Sequence, residues 1–144
     1  MKSKQTIYRL TLASNPRSIT RIETFLKKIN HVIHLDEILF HKLMISLTEA
    51  VNNAIIHGNR NNPAKRVRVE CEILPGWLMV IVEDQGKGFK PEAVGNPLKK
   101  ENLLKESGRG IFLMRTLMDR VEFESSRSGM QVRLWLDLGK QTAA

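Results

Sequence analysis

Glu49 and Asn53 form the first pair whose types and spacing suggest chemistry. They stand four residues apart in a stretch whose apolar residues recur at three- and four-residue intervals, so they lie one turn apart on one helical face. A carboxylate and a carboxamide on a rigid element offer an anionic acceptor and a neutral oxygen to one ligand. The second group is Asp84-Gln85-Gly86-Lys87-Gly88-Phe89, directly after a run that reads as a strand. An aspartate at a strand end accepts hydrogen bonds from a donor such as an exocyclic amine. Gly86 and Gly88 let the backbone turn tightly and approach a flat ligand closely. A calcium loop would need further oxygen ligands at set spacing, and Lys87 and Phe89 do not suit it. The third group, Gly108-Arg109-Gly110, opens a helix, where backbone N–H groups and the positive dipole end suit a phosphate. Its plainer alternative is a flexible hinge before a core helix. Neither a Gly-Lys-Ser/Thr phosphate loop nor the dinucleotide glycine fingerprint occurs.

These groups need elements to hold them. Asp36 is placed to cap the helix that carries Glu49 and Asn53, with Leu35 and Phe40 as a hydrophobic staple around the cap. Leu39, Leu43, Leu47, Ala50, Val51, Ala54 and Ile55 form its buried face, and Gly58 is expected to end it in a left-handed turn. His57, near that end, is read as a cap for helix carbonyls rather than as a phosphoacceptor. Upstream, Gln5 to Leu12 reads as a strand. Asn15-Pro16 starts a helix whose narrow stripe of Ile19, Ile22, Leu26 and Ile29 is either core or a partner seam; on the seam reading a homodimer is expected. Downstream, Val67, Val69, Cys71 and Ile73 alternate with Arg66, Arg68, Glu70 and Glu72. Pro75-Gly76 turns the chain into a second strand, Trp77 to Glu83. Lys90 to Ser107 has little periodicity and reads as a mobile segment. Arg109 to Asp119 is helical, with Ile111, Met114, Leu117 and Met118 buried. Val121 to Ser125 and Met130 to Leu138 are strands around a turn at Arg127-Ser128-Gly129. The fold expected is α+β, a two-layer sandwich in one domain over residues 1–144 (core about 5–138). Its sheet is mixed and mostly antiparallel, with helices on one face.

Composition narrows the function classes. The 144 residues carry a formal net charge of +8, with 42% hydrophobic and 26% charged residues, ordinary for a globular protein. The single cysteine, Cys71, permits neither an internal disulfide nor a zinc cluster. No apolar run suits a membrane span, and the first residues do not resemble a signal peptide, so a cytoplasmic location is expected. The positive balance suits anionic partners, but no recognition helix or aromatic-interleaved basic strand argues for direct nucleic-acid binding. Lys99, Lys100 and Lys105 read as a solvated face, which leaves Arg109 as the better phosphate contact.

Taken in order, Glu-x-x-x-Asn on a helix, Asp-x-Gly-x-Gly after a hairpin and Gly-x-Gly at a helix start resemble the GHKL ATPase superfamily with its Bergerat ATP-binding fold. Glu49-Ala50-Val51-Asn52-Asn53-Ala54-Ile55-Ile56-His57-Gly58 is most similar to the anti-sigma factor serine/threonine kinases. The resemblance implies ATP and Mg²⁺ as cofactors. It implies that Asn53 is a Mg²⁺ ligand, that Glu49 orients or deprotonates the attacking hydroxyl, and that Asp84 holds the adenine amino group. Gly86 and Gly88 would allow close approach of the nucleotide. Gly108, Arg109 and Gly110 would wrap the phosphates, with 90–107 as a lid. The partners implied are an anti-anti-sigma antagonist as substrate and a sigma factor or similar regulator. Two departures are visible. Glu106 stands before Ser-Gly where the family often has a basic residue, and Gly129-Met130 replaces a frequent Gly-Thr. The function expected is therefore an ATP-dependent serine/threonine protein kinase; the alternative is a nucleotide-gated binding module or a histidine-kinase-like ATPase domain with little kinase activity, and a pure binder would have no need of Glu49.

Overall fold

The computed structural model describes residues 6–86 and 106–140. Five strands, β1 (Thr6–Ala13), β2 (Arg66–Leu74), β3 (Trp77–Glu83), β4 (Arg120–Ser126) and β5 (Gly129–Asp137), form one sheet in the order β1-β2-β3-β5-β4. Three helices, α1 (Thr20–Ile33), α2 (Glu37–Asn53) and α3 (Glu106–Leu117), pack over it. The expected α+β sandwich is present. Every pairing is antiparallel, so the sheet is not mixed among the described residues. The reason lies in the order. The crossover from β3 through α3 delivers β4 parallel to β3, but the tight β4–β5 hairpin places β5 between them.

The alternation in β2 turns Val67, Val69 and Cys71 toward the helices, as the period of two requires. The register extends that face. Leu10, Val69, Val82, Val132 and Phe123 form one row across all five strands. Gly76 makes the β2–β3 turn at φ +75, and Gly129 the β4–β5 turn at φ +149, both values that favour glycine.

Asn15 begins the helical layer as expected. Its Oδ1 accepts from Arg17 N at 3.0 Å, and a short 3₁₀ turn at Pro16–Ile19 leads into α1. The stripe on α1 is core rather than seam. Ile22, Leu26 and Ile29 are each 1% exposed, covered by this chain's own sheet and helices. The argument for a homodimer drawn from that stripe therefore falls. The chain leaves α1 through His34 in the left-handed region (φ 52), and Asn30 Oδ1 accepts from Leu35 N at 2.7 Å to hold the turn.

Asp36 caps α2 as expected, its Oδ1 accepting from Leu39 N at 2.8 Å. The far end differs from expectation. The helix widens into one π turn, Ala54–Gly58, closed by Asn59 N donating to Ala54 O at 2.7 Å. Gly58 has no left-handed backbone; Arg60 (φ 52) and Asn61 (φ 56) make that turn instead. The last helix, α3, starts at Glu106 rather than Arg109. Ile111, Met114 and Met118 are buried as expected, but Leu117 is only half-buried. Among the described residues no helix is long and apolar enough to cross a membrane, and no group of three His, Cys, Asp or Glu could hold a metal.

Candidate functional site

The site is built where the C-terminal half of α2 meets the end of β3 and the start of α3. Asp84 follows β3 and is 4% exposed. Its Oδ1 accepts from Gly86 N at 2.9 Å and from Met130 N at 3.1 Å. Its own N–H donates to Met130 O at 3.0 Å. The carboxylate is thus locked from both sides, and Oδ2 is the oxygen these backbone donors leave free. Burial pushes its pKa up, opposed by the two backbone donors and by Lys65.

Three glycines let the chain close tightly around Asp84. A Cβ on Gly58 would lie 2.5 Å from Asp84 Cγ and closer still to Oδ2. A Cβ on Gly86 would lie 2.5 Å from the Gly58 carbonyl carbon, and one on Gly129 2.7 Å from that of Asp84. Real Cβ atoms do not approach so near, so the chain crosses itself here at distances only glycine allows. Gly86 was expected to permit close approach of a ligand; in the structure it permits close approach of the Gly58 backbone. Gly58 ends the helical segment as expected, though without a left-handed backbone, and is also part of the wall around Asp84.

Asn53 and Glu49 sit on α2 beneath α3. Asn53 is 8% exposed, and its Nδ2 is buried without a hydrogen-bond partner among the described residues. Glu49 is half-buried. A Cβ on Gly110 would lie 2.8 Å from Glu49 Oε2 and 3.3 Å from Asn53 Nδ2. Gly110 is therefore the residue through which the third sequence group closes on the first. Gly108 is buried and Arg109 is exposed. Because α3 begins at Glu106, Gly108 has its N–H among the four that a helix start leaves unpaired, while the N–H groups of Arg109 and Gly110 fall beyond them. Gly88, and residues 90–105 of the expected lid, lie outside the described residues. His57 is exposed.

A narrow cleft joins these groups. Ala50, Asn53 and Ala54 form its helical wall, and Val82, Phe123 and Val132 its sheet wall, with Asp84 and Met130 at the end. Its free space is about 10 Å³.

Sequence reasoning missed Asn59, which is 1% exposed. Its Nδ2 donates to Ser14 Oγ at 2.8 Å and to Arg66 O at 3.0 Å, and its Oδ1 accepts from Gln85 N at 2.7 Å. One side chain thus ties the end of α2 to β1, to β2 and to the Asp84 loop. The one signal was an asparagine directly after His57-Gly58, too common in turns to stand out.

The fold and site define a class: an α+β sandwich whose central helix and strand-end aspartate bound a cleft, the layout of nucleotide-binding ATPase domains. Residues 12–136 match the family described as histidine kinase-like ATPase domain. The chain is 33% identical to the anti-sigma F factor of Heyndrickxia coagulans, over 99% of this chain and 98% of that one. It is 36% identical to the serine-protein kinase RsbW of Bacillus velezensis over 64% of this chain and 61% of that one. Among solved structures, the RsbU and RsbW domains of Rv1364c from Mycobacterium tuberculosis superpose with TM-score 0.68 at 15% identity, covering 92% of this chain and 32% of that one. The histidine kinase domain of Erythrobacter litoralis EL346 superposes with TM-score 0.58 at 19% identity, covering 88% and 62%. The chain belongs to the histidine kinase-like ATPase family, on the branch of the anti-sigma factor kinases.

Proposed function

We propose that the chain is a Mg·ATP-dependent serine/threonine protein kinase that phosphorylates an anti-anti-sigma antagonist and sequesters a sigma factor or similar regulator. The observation that carries the reading is the buried Asn53 amide, partnerless among the described residues and set beside Glu49 under Gly110. Buried polar groups are normally satisfied, so an orphan facing a helix start argues for a ligand. Rotation about χ2 exchanges the two ends of the amide, so the same position offers an oxygen to a hard cation, and Mg²⁺ is served by few protein ligands.

Bound Mg·ATP supplies the phosphoryl group, and the rest falls to this chain's residues. Asp84 Oδ2 accepts from the exocyclic amine of the base. Ala50 and Ala54 keep the helical wall low enough for a planar ring. Asn53 holds the ion. Gly108 offers the phosphates a backbone N–H and Arg109 a guanidinium, while Gly110 lets α3 close on Glu49 and Asn53. Glu49 lies one helical turn from Asn53 and orients or deprotonates the incoming hydroxyl. Phosphoryl transfer requires chiefly such positioning and charge neutralisation. Partner choice rests on the relatives named anti-sigma F factor and serine-protein kinase RsbW. A homodimer rests on family resemblance alone, and sedimentation giving a monomer at tens of micromolar would remove it.

The test begins with a pull-down from native extract with and without ATP, followed by phosphosite mapping on the captured partner. Radiolabelled transfer to that partner is then compared among variants. Glu49→Gln should keep nucleotide affinity and lose about 10²–10⁴-fold in rate, the usual worth of general-base help. Asn53→Ala should lose Mg²⁺-dependent nucleotide affinity. Transfer at the unmodified rate by Glu49→Gln would refute the catalytic role and favour a nucleotide-gated binding module.

A further inference from the structure

The cleft beside Asp84 holds about 10 Å³ of free space, roughly the minimum for one water molecule. A purine is many times larger, so one of the walls must give way to admit it. The walls differ in their freedom to do so. Ala50 and Ala54 have no side-chain torsion to change. Val82 and Val132 are β-branched, stiff at χ1, and 1% and 7% exposed in central strands. Asp84 is fixed by two backbone N–H groups. Phe123 lies under the Arg115 guanidinium, 5.5 Å from its ring centroid. Among the described residues that line the cleft, Met130 alone combines burial (2% exposed) with an unbranched side chain of three rotatable bonds. Its backbone is fixed, with N–H to Asp84 Oδ1 and C=O from Asp84 N, directly after Gly129 at φ +149.

We infer that Met130 is the gate of the base-binding cleft: a flexible thioether on an immobile hinge, which fills the cleft when it is empty and swings aside to admit a planar base. The same residue pins the carboxylate that recognises the base, so admission and recognition share one backbone position. The inference rests on the nucleotide reading above and adds the group that controls entry.

The test uses the full chain labelled with ¹³C at methionine methyl groups. The Met130 signal is assigned by its loss in Met130→Leu. Saturating Mg·ADP should shift the Met130 methyl to the value of a changed rotamer and leave Met114, fully buried in the core, in place. Stopped-flow binding of a fluorescent ADP analogue gives the second readout. Met130→Ile, of similar volume but stiff, should bind about tenfold more weakly, since apparent affinity falls with the fraction of open molecules. Met130→Ala should associate faster than the unmodified chain. Circular dichroism on each variant separates these effects from unfolding. If the unmodified chain binds ADP but its Met130 methyl does not move and Met130→Ile binds equally tightly, the gate is wrong and the nucleotide reading stands. If the unmodified chain does not bind ADP, both fall.

Discussion

Replacing Gly58 by alanine tests the way the chain crosses itself at Asp84. The added Cβ would lie 2.5 Å from Asp84 Cγ and nearer still to Oδ2, whereas ordinary contact begins at 3.4 Å, so the carboxylate must move by at least about 0.9 Å. Relief along the main chain is blocked, because Gly86 is already pressed against the Gly58 carbonyl. A shift of that size stretches the bonds from Gly86 N and Met130 N, now 2.9 and 3.1 Å. Overpacking costs about 1–3 kcal/mol, and weakened hydrogen bonds to a charged group about 1.5–3 kcal/mol, so a loss of about 2.5–6 kcal/mol is expected. Urea unfolding followed by tryptophan fluorescence measures it. The decisive comparison is a double-mutant cycle with Asp84→Ala. Without the carboxylate the new methyl has space, so Gly58→Ala should cost less than about 0.5 kcal/mol in that background, within the usual error of additivity. An equal cost in both backgrounds would show that Gly58 acts through its own backbone conformation, and the steric account would be refuted.

Three further substitutions test the same geometry. Asp84→Asn should abolish most adenine-nucleotide affinity by calorimetry, because an amide end replaces the free Oδ2, while an amide oxygen still accepts from Gly86 and Met130. The folded pKa of Asp84 is raised by burial, so the ionised form costs stability that the protonated form does not. Hence the apo Asp84→Asn protein should gain stability over the parent at neutral pH, and the gain should vanish as pH falls through the raised carboxylate range. A gain that is the same at every pH would contradict this. Asn59→Ala should destabilise by about 2–4 kcal/mol in urea, because Gln85 N, Arg66 O and Ser14 lose a buried partner. Gly110→Ala should leave the fold intact, since a helix accepts alanine, yet weaken Mg²⁺-dependent nucleotide binding at least as much as Asn53→Ala does, because its methyl presses on Glu49 and Asn53. Unchanged binding in titration calorimetry would separate α3 from the ion site.

The parts of the fold that obey a short period were legible in the sequence. The alternation of Val67, Val69 and Cys71 located β2 and its buried face, and Asp36 located the start of α2, because both signals depend on residues within a few positions. The sheet order was not legible. The place of β5 between β3 and β4 is a long-range packing outcome that no local signal encodes, so the antiparallel character of every pairing went unseen. The α1 stripe was ambiguous for a related reason, since Ile22, Leu26 and Ile29 would look the same whether covered by their own sheet or by another molecule. At the site, Glu49, Asn53 and Asp84 stand out in the sequence because their chemistry is unusual at those spacings, and the structure sets Asn53 and Asp84 on one cleft. Asn59 could not, because its importance comes from neighbours 45 and 26 residues away in the chain, Ser14 and Gln85.

The π turn at Ala54–Gly58 has a consequence for how the two halves of the site are set. A regular helix advances about 100° per residue, so Glu49 and Asn53 would dictate the angular phase of everything after them. The wide turn breaks that inheritance. It works as a joint with a fixed offset: residues before it keep the phase that meets Gly110, and residues after it take the phase that meets Asp84 and Gln85. Removing a single residue from this turn would restore ordinary winding and rotate Gly58 and Asn59 off Asp84 and Gln85, while Glu49 and Asn53 stayed under α3. The half of the site under α3 and the half around Asp84 are thus adjusted independently, although one continuous helix carries the first directly into the second.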